Sequence, residues 1–247
     1  MRSNSIVAAA TLLLAIGTAQ AGQVTVPFVG CPTDSLTAPL PAPNGSPLPV
    51  SLDAKTASRL AFYKSQRDQG IIGPRGWHCQ SFMAASGWVT IVLPETPRPS
   101  TMLRYPVFHP VKGPAIQITH FDSASSGRIE IAKLIARYFP QRGFFAKFVI
   151  ATKVAPASEF PSGPFKADRL ITRKTDVVEY LSPAGKEGQG TAYRLVPGDL
   201  PIRTFVAVVG PDEEPQGFVM GVRLPEDRDD LAPVILSWAE RQYATAK

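Results

Sequence analysis

An α+β fold follows from three observations in this 247-residue chain. Two segments carry apolar residues at helical spacing: Ile131, Leu134, Ile135 and Tyr138, then Leu231, Val234, Ile235 and Trp238. Short runs rich in β-branched and aromatic residues recur between 88 and 224, divided by Gly and Pro, and their close spacing predicts a mostly antiparallel sheet. The composition, 44% hydrophobic and 19% charged with mean hydropathy +0.00, is that of a globular chain. It excludes a coiled coil, a collagen-like repeat, a wholly disordered chain and a polytopic membrane protein. The expected architecture is a single α+β domain over 51–247, a mostly antiparallel sheet with about three helices on one face. A leader over 1–21 and a proline-rich N-terminal arm over 22–50 precede it.

The leader is read from Arg2, the apolar run Ile6 to Ile16, and Ala19-Gln20-Ala21 as a cleavage site. That apolar core is far short of the roughly 20 residues a membrane anchor needs. No later stretch reaches transmembrane length, so the chain from Gly22 is expected to be exported and soluble, periplasmic or extracellular. Prolines are the composition outlier, 25 in all. Seven fall between 27 and 49, where fixed φ and missing donors predict an extended arm lying on the surface. The leader has a bacterial style, so the glycosylation sequon Asn44-Gly45-Ser46 carries no weight.

Next come a helix over 51–66, a loop over 73–79, a strand over 88–93 and a proline-broken loop from Pro97 to Pro114. The pattern then predicts a strand over 115–121, a Ser/Gly loop over 122–127, a helix over 128–139 and a strand over 144–151. Strand, helix and strand here would make one βαβ unit. Four short strands follow, over 176–182, 191–197, 202–209 and 217–224, before the final helix. The glycines at 185, 188 and 190 lie between strands and read as a hairpin turn rather than a phosphate loop.

Cys31 and Cys79 are the only cysteines. In an oxidising compartment an isolated pair reads first as a disulfide pinning the arm to the body. A lipidated Cys31, or a nucleophilic Cys79 beside His78, are the alternatives. The first lies too far past the apolar run. In the second, neighbours on a strand point to opposite faces.

Charge is uneven. Residues 22–153 carry 14 Lys/Arg against 6 Asp/Glu, and residues 154–247 carry 11 against 14. A basic half suits an anionic partner, while solvated surface is the plainer explanation. No basic cluster is interleaved with aromatics, so nucleic acid is not an expected partner. The acidic run Glu226–Asp230 sits where carboxylates oppose a helix dipole and cap free amides, with Pro233 in the first turn.

Chemistry-bearing motifs are few. Asp122-Ser123-Ala124-Ser125-Ser126-Gly127 leads from a strand into a helix opened by Arg128, which could seat an anion or simply cap the helix through Ser125 or Ser126. His120 lies beside it, so Ser125 or Ser126 with His120 is the weak catalytic candidate. No G-x-S-x-G elbow occurs, and alternation with Ile116 and Ile118 places His120 on the apolar side of its strand. His78, His109 and His120 lack metal-ligand spacing, and no metal or cofactor is expected. Pro74-Arg75-Gly76-Trp77-His78-Cys79 is the densest cluster of uncommon residues, and Arg75, Trp77 and His78 are candidate binding residues alongside Ser125, Ser126 and Arg128.

With GPAIQI (113–118), SGR (126–128), DRLITRKTDVVEY (168–180) and PAGKEGQGT (183–191), that PRGWHC segment resembles a group of exported bacterial proteins. The likeness covers roughly residues 29–240. It implies export and a single domain, and brings no activity, ligand or catalytic residue. The expected function is non-enzymatic binding of an anionic envelope component or another exported protein. A secreted serine hydrolase using the 123–126 loop with His120 is the alternative.

Overall fold

The computed structural model describes residues 24–35, 38–97 and 110–244. The leader over 1–21, and the part of the proline loop that holds His109, lie outside the described residues.

The proline-rich arm is woven into the body. Strand β1 (Val24–Val26) pairs antiparallel with β4 (Leu48–Val50), so the two ends of the arm meet. Between them β2 (Phe28–Gly30) runs parallel to β5 (Leu60–Lys64), and β3 (Thr33–Ser35) runs parallel to β7 (His78–Ala84). Cys31 sits between β2 and β3 and is bonded to Cys79 of β7. The arm folds back so tightly that a Cβ on Gly30 would lie 2.1 Å from the Pro43 carbonyl oxygen.

The segment 51–66 is not one helix. Helix α1 covers only Ala54–Ser58, started by Asp53, whose Oδ1 accepts from the Thr56 amide at 2.9 Å. Leu60, Ala61, Phe62 and Tyr63 are all buried, and they form β5, paired with β6 (Ile71–Pro74). Four consecutive buried residues suit a strand covered on both faces, whereas a helix would turn part of them to water.

The main sheet has eight strands in the order β10-β11-β12-β13-β9-β8-β7-β3, with β8 Gly87–Leu93, β9 Ala115–Asp122, β10 Arg169–Arg173, β11 Val177–Ser182, β12 Ile202–Val209 and β13 Gln216–Arg223. Every neighbouring pair is antiparallel except β3 with β7. The fold is broadly α+β, and its sheets are mixed rather than wholly antiparallel.

Helices cover both faces of this sheet, not one. Phe205, Ala207, Phe218 and Met220 point toward β5, β6 and α4 (Ala232–Tyr243). The alternate residues Val206, Val208 and Val219 point toward α2 (Gly127–Tyr138) and α3 (Gly143–Ala151). Burial on both sides explains why β12 reads as an almost unbroken apolar run.

Residues 144–151, expected as a strand, form α3, so the strand-helix-strand unit expected there is not formed. Phe145, Ala146 and Val149 are its buried residues. An apolar run this short fits either period, and packing against α2 decides it. Residues 191–197 form no strand; Leu195 makes only an isolated bridge with Val111. Instead β10 is the sheet edge. Its pairing shifts at Ile171, and Arg169 and Arg173 flank it, two devices that discourage edge-to-edge association.

Two buried arginines stand in for missing backbone pairing. Arg223, fully buried at the end of β13, donates through Nη1 to the carbonyls of Val111 (3.1 Å), Lys112 (2.6 Å) and Gly113 (3.2 Å), and through Nη2 to that of Val196. Arg142, just before α3, donates to the carbonyls of Val208 and Gly210 and to Asp212.

Candidate functional site

The PRGWHC segment is the turn between β6 and β7. Pro74 ends β6, and Gly76 takes φ +84°, the left-handed value that the third position of a type II turn demands. Trp77 is buried in the core. The Tyr63 hydroxyl clamps the turn, donating to the Pro74 carbonyl at 2.5 Å and accepting from the Trp77 amide at 3.2 Å. Burial pushes that phenol up to about 12. Trp77 and Cys79 thus hold the fold together, while Arg75 and His78 remain exposed.

His120 lies elsewhere. His78 pairs with Leu93 at one end of β8, and His120 pairs with Trp88 near the other end. That separation is about 17 Å at ~3.4 Å per residue. His120 is sandwiched between its two cross-strand neighbours, with ring centroids 5.5 Å from Trp88 and 4.7 Å from Phe218. Tyr243 of α4 packs on both of those rings. Burial lowers the imidazole pKa, against the opposing pull of Gln216 and Asp122. Its Nδ1 is buried with no hydrogen-bond partner among the described residues. A neutral ring in an aromatic stack results.

The serine loop is committed to its own turn. Asp122 Oδ1 accepts from the Ala124 amide at 2.9 Å, and Ser125 Oγ donates to the Asp122 carbonyl and accepts from the Gly127 amide. The Arg128 and Ile129 amides donate to the carbonyls of Ser125 and Ser126. Ser126 is the N-cap residue of α2, but its side chain makes no capping bond. The amides an anion would need are taken, and Asp122 adds a carboxylate to the same turn. Close packing explains the small residues: a Cβ on Gly127 would lie 2.4 Å from the Ser86 carbonyl oxygen. No hydrogen bond joins Ser125 or Ser126 to His120 among the described residues.

The acidic run forms a 3-10 turn over Glu226–Leu231 ahead of α4, with Pro233 at the start of that helix. Its carboxylates do not cap by side-chain hydrogen bonds. They pair with arginines, and this builds a feature that the sequence does not announce. Asp230 takes Arg59 through two oxygens, at 2.5 and 2.9 Å, which lowers its own pKa and raises that of Arg59. Asp227 lies 3.8 Å from Arg228.

Ser58, Arg59, Arg75, Asp227, Arg228 and Leu231 line an open cleft of about 360 Å³. Arg75 forms no ion pair or side-chain hydrogen bond among the described residues, so one guanidinium faces the cleft unpaired. Of the six candidate binding residues, Arg75 is placed in a cleft with further cations. Arg59 and Arg228 carried no sequence signal, because 16 and 153 positions separate them from Arg75.

Among the described residues no group of three or more His, Cys, Asp or Glu could hold a metal ion. No described helix is long and apolar enough to cross a membrane. No family model matches the chain, and no curated protein or solved structure matches it.

Proposed function

We propose that the protein is exported and acts without catalysis, by binding an anionic component of the cell envelope through the arginine cleft. The observation that carries this reading is the unpaired Arg75 beside Arg59 and Arg228 in an open cleft. Asp230 holds Arg59 in place, so the anion meets a prearranged cation rather than having to order a free one. Guanidinium groups present paired donors that match carboxylate and phosphate oxygens. The leader and the Cys31–Cys79 bond support an oxidising, exported location. The hydrolase alternative needs a serine hydroxyl donating to His120, and no observation favours it.

Thermal unfolding with glycerophosphate and with an oligogalacturonate tests the reading. A probe at about a hundred times its Kd stabilises by about 2.7 kcal/mol, a Tm rise of about 5–10 °C for a chain of this size. That rise is expected in the native protein and absent in Arg75→Ala. A native protein whose Tm responds to neither probe overturns the proposal.

A further inference from the structure

We infer that the outer face of α3 is a docking surface for an anionic lipid bilayer. The inference rests on the export reading alone and not on the arginine cleft.

Helix α3 turns Phe145, Ala146 and Val149 inward and leaves Phe144, Lys147, Phe148 and Ala151 exposed. Those four positions, at i, i+3, i+4 and i+7, form one stripe. Phe144 is 66% exposed and Phe148 57%, the two most exposed large apolar side chains described. Beyond the helix the stripe continues into Lys153 and Val154, the latter 46% exposed. Lys153 has φ +54° and is the sole non-glycine residue with positive φ among the described residues. Helices usually place glycine or asparagine there. A lysine held in that conformation carries local strain, of the kind that collects at functional positions.

The surrounding charge is one-sided. Lys147 and Lys153 form no ion pair among the described residues, and no Asp or Glu occurs in sequence between Glu130 and Glu159. The acids that come near the ends of this region are engaged: Asp176 and Asp212 with Arg142, Glu159 with Lys133. Aromatic side chains beside unpaired lysines are the pattern of a helix lying in the headgroup layer, with the lysine stems reaching past the rings to the phosphates.

A second protein copy is a poorer occupant. Two phenylalanines offer about 150–250 Å² each, against about 800 Å² per partner in a stable protein interface. A bilayer sets no such minimum, and each lysine near an anionic surface strengthens binding about fivefold.

The test is vesicle sedimentation with the chain from Gly22 onward, which retains every described element, the first of them being β1 at Val24. Binding to phosphatidylglycerol-containing vesicles and not to phosphatidylcholine vesicles is expected. Lys147→Gln and Lys153→Gln should each weaken it about fivefold, and Phe144→Ser with Phe148→Ser should abolish it. Circular dichroism and the thermal response to glycerophosphate should be unchanged in all of these variants. Failure of the native chain to sediment, or sedimentation indifferent to these four residues, overturns the inference. So does a concentration-dependent dimer that the Phe144→Ser, Phe148→Ser variant dissolves. Arg75→Ala should leave sedimentation intact, so the cleft and the helix face fail or succeed separately.

Discussion

Removing the Cys31–Cys79 bond should cost about 4 kcal/mol, and the structure indicates on which side of the folding equilibrium that cost arises. The bond closes a sequence separation of 48 residues. The chain-entropy relation assigns a loop of this length about 13–14 cal/mol/K, or about 4 kcal/mol at 25 °C. In the folded state the arm has other attachments. The Cys31 amide donates to the Lys64 carbonyl at 2.9 Å, the Ser81 amide donates to the Pro32 carbonyl at 2.9 Å, and β3 pairs with β7. Native geometry should therefore survive the loss, and the cost should appear through an unfolded chain that is freer. Urea unfolding of the oxidised protein against Cys31→Ala, Cys79→Ala reads both parts. With a slope of about 2–3 kcal/mol/M, the midpoint should fall by about 1.3–2 M. The slope itself should rise, because the unlinked chain exposes more surface. A midpoint change below about 0.5 M, roughly 1 kcal/mol on that slope, would refute the reasoning. It would mean that the arm's backbone pairing persists in the unfolded ensemble.

Arg223→Met leaves the carbonyls of Val111, Lys112, Gly113 and Val196 without their donor. A loss of about 3 kcal/mol in urea unfolding is expected, and Arg223→Lys should recover little of it, since an ammonium is a point donor and not a fork. His120 has a lowered pKa in the folded state, so the unfolded chain binds the proton more tightly. Stability should therefore fall as pH drops below about 6.5, by up to about 1.4 kcal/mol per pH unit until the folded value is passed. His120→Phe should remove that slope while keeping the stack on Trp88 and Phe218, as unfolding at pH 7 and pH 5 would show. Lys153→Gly relieves a left-handed backbone and should raise stability by about 1 kcal/mol, measured as a higher Tm. An unchanged Tm would deny the strain.

The final helix and α2 were legible because each carries a clean helical period, and β8, β9, β11, β12 and β13 because each is a run rich in β-branched and aromatic residues. What misled was length and two-sided burial. Leu60–Tyr63 and Phe144–Ala151 are both short, largely apolar runs that include aromatic residues. The first pairs with β6 and the second lies on α2, a choice made by packing against another element and not by the run itself. The strand β10 was invisible for the opposite reason. An exposed edge strand has no buried face to impose alternation, and Arg-Leu-Ile-Thr-Arg has none. The disulfide was legible because two cysteines in a chain whose leader reads as an export signal leave one pairing. PRGWHC drew attention through its rare residues, yet most of them serve a turn and the core. Its plainest member, Arg75, is the one that reaches a cleft, and Arg59 and Arg228 join it only through the packing of α4 against β5 and β6.

The charge asymmetry of the sequence changes meaning once the chain is folded. Read linearly, a basic half precedes an acidic one. In space the two interlock: Arg59 with Asp230, Lys133 with Glu159, Arg142 with Asp176 and Asp212. Each pair joins a cation of the first half to an acid of the second, so much of the excess is spent inside the fold. A basic half is therefore no evidence of a basic face. Cations that could meet a partner are those the folding leaves without an acid, and Arg75, Lys147 and Lys153 are among them. Arg75 opens into a cleft with further guanidinium groups, which favours a small anion held by several donors. Lys147 and Lys153 border exposed phenylalanines on a convex helix, which favours a surface carrying anions over an apolar layer. The two geometries ask for different forms of negative charge, and an exported protein at the envelope would meet both.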